Sequence, residues 1–162
     1  RFEKIIAANT GLPTGKAPLS EGFAVFREFL QIKPDLHVAG QVRNGTTKGI
    51  DEYALAAYNA PFPDDDHKQG VRQFPNLVPG TPRTPSAEPN KEAWKILREW
   101  KKPFLCAFSD KDPIFSGVEN SFYKLIPGCK DMPHVTIEDA GHFLQEDQPE
   151  ACVDAILSIK DI

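Results

Sequence analysis

The chain has 162 residues, 40% of them hydrophobic and 26% charged, with a formal net charge of −4. That is enough apolar material for one soluble domain with a core, and the acidic balance, with no basic run anywhere, argues against nucleic acid as a partner. No apolar run approaches the roughly 20 residues that cross a bilayer, so no membrane association is expected.

The run "KIIAA" at 4–8 ends in Asn9-Thr10-Gly11 and predicts a short buried parallel strand. In 21–31 the residues Phe23, Phe26, Phe29 and Leu30 recur at helical spacing behind Ser20, a good N-cap. A polar loop, "RNGTTKG", leads to a second helical pattern at 50–58, which Pro61 and Pro63 terminate. A short helix is expected in 67–78, ending near Pro75. Pro79, Pro82, Pro85 and Pro89 then crowd an aperiodic connector.

Beyond it, 90–100 places Ala93, Trp94, Leu97 and Trp100 on one helical face, with Asn90 able to cap. "PFLCAF" at 103–108 predicts a second buried strand, 120–126 a helix, and "HVTIE" at 134–138 a third strand. Asp147 and Glu150 have capping-box spacing, ahead of a helix expected to bury Cys152, Ala155, Ile156 and Ile159. Strands alternating with helices after residue 90 indicate an α/β protein with a parallel sheet, interrupted by a helical insertion at about 16–80. Cys106, Cys129 and Cys152 are odd in number and fit no zinc spacing, so they read as free thiols in a reducing compartment, the cytoplasm.

Reactive groups of open α/β sheets gather at the carboxyl ends of strands. Two such ends carry titratable residues, "SDKDP" at 109–113 and "DAGHF" at 139–143. If the second and third strands pair, Asp112 and His142 meet above the sheet. A carboxylate beside an imidazole fixes its tautomer and makes it a general base near neutral pH. Asp110 competes as a turn former, and His37, His67 and His134 sit in contexts with ordinary structural explanations.

The segments "AANTGLPTG", "YNAPFPDDDHKQGVRQFPNLVP", "KPFLCAFSDKDP" and "HVTIEDAGHFLQED" together resemble the haloalkane dehalogenases of the α/β-hydrolase fold. The resemblance implies displacement of halide by an aspartate, which leaves an alkyl-enzyme ester that a histidine-activated water hydrolyses. By motif match His142 is that histidine and Asp112 its supporting acid. Phe23, Phe26, Phe74, Pro75 and Val78 match cap positions facing substrate and halide, and Ile114 and Phe115 line the pocket from the core. The implied domains are a core strand and turn at 1–15, a helical cap at 16–80 and the C-terminal part of the hydrolase core at 81–162. The implied partners are a small apolar halogenated substrate, water and halide, and the implied full-length protein is a monomer. No cofactor and no metal are implied, because carboxylates, imidazole and water suffice.

The family's Asp-Trp nucleophile elbow and its His-Gly-x-Pro motif do not occur in these residues, and the chain starts at Arg1 rather than at methionine. The expectation is a C-terminal portion of the fold, its last three parallel strands with flanking helices and the cap, inactive alone. Phe26 stands where the resemblance places a halide-binding tryptophan, and it lacks an N–H donor. Two rivals stay open: an epoxide hydrolase of the same fold, which would use Tyr53 or Tyr58 as donors, and a non-catalytic remnant.

Overall fold

The computed structural model describes residues 2–162. Three parallel strands form its sheet in the order β1 (Ile5–Ala7), β2 (Phe104–Ser109), β3 (Val135–Ile137). Ile6 sits opposite Leu105, and Phe108 opposite Thr136. All six residues of β2 are buried, which is why this central strand reads as unbroken apolar sequence rather than alternation.

Each face of the sheet has its own core. On one, Phe104, Cys106 and Phe108 pack with Phe122 and Ile126, backed by Trp94, Leu97 and Trp100. These come from helices α5 (Ala87–Leu97) and α6 (Glu119–Leu125) and the turns that follow them. On the other, Leu105, Ala107 and Ile137 pack with Leu144, Ala155 and Ile159, supplied by α7 (Leu144–Asp147), α8 (Pro149–Leu157) and the turn after it.

The remaining helices precede the proline-rich connector: α1 (Glu21–Ile32), α2 (Val38–Asn44), α3 (Glu52–Asn59) and α4 (Gln69–Gln73), the last flanked by 3₁₀ turns. Ser20 caps α1 as expected, its hydroxyl accepting from Phe23 N at 3.3 Å. Arg72 fastens α4 to the other end of α1. Its guanidinium donates to the carbonyls of Leu30, Lys33 and Pro34 at 2.7–2.9 Å, in and just beyond the last turn of α1, where helix carbonyls lack intrahelical partners.

Four expectations need correction. The loop before residue 50 hides α2, a seven-residue helix capped by His37, whose Nδ1 accepts from Gly40 N. Helix α5 starts at Ala87, so Asn90 lies inside it and donates to Pro13 O instead of capping. Asp147 and Glu150 form no capping box. Gln148 opens α8 without a side-chain cap, and the Asp147 carboxylate is engaged elsewhere. Ile156 is exposed, while Ala155 and Ile159 carry the buried face of the last helix and its end.

Among the described residues no helix is long and apolar enough to cross a membrane, no group of residues could hold a metal ion, and all three cysteines are free.

Candidate active site

The ends of β2 and β3 bring Asp112 and His142 together. Asp112 is 2% exposed. One carboxylate oxygen accepts from Ile114 N at 2.8 Å, which closes a tight turn, and the other lies 3.1 Å from His142 Nδ1. An ionised carboxylate only accepts, so Nδ1 carries the proton and donates, leaving the Nε2 lone pair as the basic site. The imidazole is held between two rings, stacked on Phe115 at 5.8 Å and met edge-on by Phe143 at 5.0 Å. Asp110 turns away from it and accepts from Ala140 N, shaping the loop after β3.

His142 borders a cavity of about 660 Å³. Phe23, Phe26, Phe74, Pro75, Ile114 and Phe115 all line it. Val78 does not. It lines an adjoining cavity of about 470 Å³, which shares His142, Phe23, Phe26, Phe74, Pro75 and Phe115 with the first. Sequence reading missed Leu30, Val71 and Phe143, and it also missed Gln41 and Asn44, the two amide side chains on the wall. The last two sit on α2, a helix the sequence pattern does not signal, so no helical spacing points to them.

No tyrosine lines either cavity. Tyr53 is 85% exposed. The Tyr58 hydroxyl donates to Glu146 Oε1 at 2.6 Å, and that bond to a carboxylate raises the phenol further above its ordinary range. Trp94 and Trp100 also stay in the core beneath the sheet, Trp94 donating its indole N–H to Leu12 O. Of the other histidines, His134 is structural, its Nδ1 accepting from Cys106 N and its Nε2–H donating to Cys129 O. His67 pairs with Asp64 at the surface.

The loop bearing the imidazole is tied to the helices above it. Asp147, 2% exposed, accepts from Thr47 N, Lys48 N and Gly141 N at 2.8–3.0 Å. Burial works against its charge, and these N–H groups outweigh burial and hold the carboxyl below its usual range. Phe143 N donates to Gly45 O across the same seam. The approach is so close that a β-carbon at Gly141 would lie 2.5 Å from the Gly45 oxygen.

No family model matches the chain. A haloalkane dehalogenase from Psychrobacter cryohalolentis is 49% identical over 150 residues, which are 93% of this chain and 50% of that protein. The chain is a homologue of the haloalkane dehalogenases. It spans about half the length of the curated relatives it matches. A haloalkane dehalogenase from Paraglaciecola agarilytica NO2, described as tetrameric, superposes with a TM-score of 0.87 at 30% identity, over 100% of this chain and 54% of that one. An α/β-hydrolase fold protein from Burkholderia ambifaria, 18% identical, covers 96% of this chain and 56% of its own at a TM-score of 0.62, a likeness of fold alone. The three parallel strands and their helices are accordingly part of an α/β-hydrolase fold, the architecture of these dehalogenases.

Proposed function

We propose that this chain belongs to an enzyme that hydrolyses the carbon–halogen bond of small haloalkanes, with His142 as water-activating base and Asp112 as its supporting carboxylate. The observation that carries the reading is the oriented His–Asp pair facing an apolar cavity whose polar side chains, among the described residues, are Gln41, Asn44 and His142 itself. In the proposed reaction a carboxylate outside these 162 residues attacks the halogen-bearing carbon, and halide leaves with the bonding pair. Water then attacks the resulting ester while its proton passes to His142 Nε2, and Asp112 stabilises the imidazolium. Alcohol is released, the carboxylate is regenerated, and the proton is lost to solvent. A site emptied of bulk water favours the displacement, because the few N–H donors that meet the leaving halide act there without competition from water.

On this reading residues 16–80 are the cap, and Phe23, Phe26, Phe74 and Pro75 roof the substrate, with Val78 in the adjoining chamber and Ile114 and Phe115 on the floor. The chain alone, without the attacking carboxylate, is inactive. The epoxide hydrolase alternative needs a phenol in the pocket, and Tyr53 and Tyr58 are both outside it.

The test is an assay of the intact protein carrying these residues with 1-bromobutane and with styrene oxide. Bromide release without diol supports the proposal, and diol without bromide refutes it. Sedimentation of the intact protein distinguishes a monomer, as the resemblance implies, from a tetramer like the Paraglaciecola enzyme.

A further inference from the structure

Asn9, at the end of β1, makes contacts that a turn former does not need. Its side-chain oxygen accepts from Ser109 N at 2.9 Å. Its amide nitrogen faces three oxygens: Ser109 Oγ at 2.7 Å, Gly141 O at 2.9 Å and His142 O at 3.0 Å. The Ser109 hydroxyl also donates to Gly141 O, at 2.7 Å. The residue is 6% exposed, and its φ of +37° is left-handed, a conformation asparagine tolerates better than most side chains.

The two carbonyls that Asn9 holds belong to the peptide bonds immediately before and after His142. With both planes fixed, only the two side-chain torsions of His142 remain free, and the Asp112 carboxylate, Phe115 and Phe143 take those up. The N–H of Gly141 is held from the opposite side by Asp147. Only a neutral group that both donates and accepts fits between Ser109 N and the oxygens. A carboxylate of the same shape would face those oxygens with no hydrogen to share.

We infer that Asn9 is a positioning residue for His142: with Ser109 it fixes the two peptide planes flanking the histidine, and so aims Nδ1 at Asp112 and Nε2 into the cavity. The inference rests on the reading of His142 as the base, and a misplacement of about 1 Å in such a group costs on the order of 100-fold in rate.

The experiment compares Asn9→Ala and Ser109→Ala with the parent in the intact protein, by kcat and KM for 1-bromobutane, by the pH–rate profile, and by ¹⁵N NMR of the imidazole. For Asn9→Ala, kcat is expected to fall about 100-fold and KM to fall with it, since the base acts on hydrolysis of the ester and not on the displacement that forms it. The acid limb of the profile moves, and the His142 resonances show a mixture of tautomers. Ser109→Ala, which leaves the Asn9 amide on both carbonyls, falls about 10-fold and carries the test if Asn9→Ala does not fold. Unchanged kcat, profile and tautomer in a folded variant overturn the inference. The NMR arm needs no substrate. A parent that releases no bromide sinks the dehalogenase reading, while a tautomer shift in the variant still supports the positioning role and an unshifted tautomer still refutes it.

Discussion

His142 and Asp112 are separated by 30 residues and joined by one hydrogen bond. That pair is legible in the sequence because both residues follow short apolar runs that read as successive strands, and successive strands of such a sheet tend to pair. Asn9 follows the first such run in the same way, yet "ANTG" reads as a plain turn, and nothing in the spacing says that an amide will reach two later loops. If Asp112 orients the base, Asp112→Asn in the intact protein slows steady turnover on the order of 10,000-fold. Displacement does not need the base, so a burst of about one halide per protein precedes the stall, and the alkyl adduct is visible by mass spectrometry. Phe26 gives a complementary prediction. Phe26→Trp adds an indole N–H to a wall whose side-chain donors, among the described residues, are two amides and an imidazole. A hydrogen bond to an anion contributes about 1.5 kcal/mol, so bromide should bind about tenfold more tightly, read from quenching of the new indole.

The errors at the level of helices share a cause. Capping residues were assigned by spacing, but a carboxylate or amide goes to the nearest unsatisfied group in space. Asn90 met Pro13 O and became an interior residue of α5. Asp147 met three N–H groups from two segments and left α8 uncapped. Helix α2 leaves little trace in the sequence because its seven residues, about two turns, offer too little periodicity to register, and its cap is a histidine. Asp147 now carries a stability prediction. Its carboxyl is held below the unfolded-state value, so its contribution is complete above about pH 4 and is lost as pH falls through and below that point. Asp147→Asn is therefore expected to cost about 2 kcal/mol at pH 7 and progressively less toward strong acid, measured by urea unfolding of the intact protein at several pH values.

At the scale of the molecule, β1 pairs on one side only among the described residues, and Ile6 on it is 37% exposed. An open, apolar strand edge is a template for association. The 162-residue chain expressed alone is expected to elute as soluble aggregate and to bind a hydrophobic dye. A monomeric, sharply melting preparation would contradict this. The three thiols, by contrast, should be quiet. Burial raises each above its ordinary range, so alkylation at pH 8 is expected to label Cys106 and Cys129 only after unfolding. The layered parallel architecture was readable from alternation alone. The seam between the helices and the histidine loop was not, because the Asp147 carboxylate finds its partners among backbone N–H groups, which every residue has.

Those same contacts set the order in which the molecule can assemble. Asn9 reaches Ser109 across 100 residues and Gly141 across 132, and Thr47 reaches Asp147 across 100. Each closes a long loop before it contributes anything, and such contacts form slowly. Helices such as α5 and α8 can form from near neighbours, but the surroundings of His142 exist only once three strand ends and the α2–α3 connection have met. In refolding, helical ellipticity should return well before catalysis does.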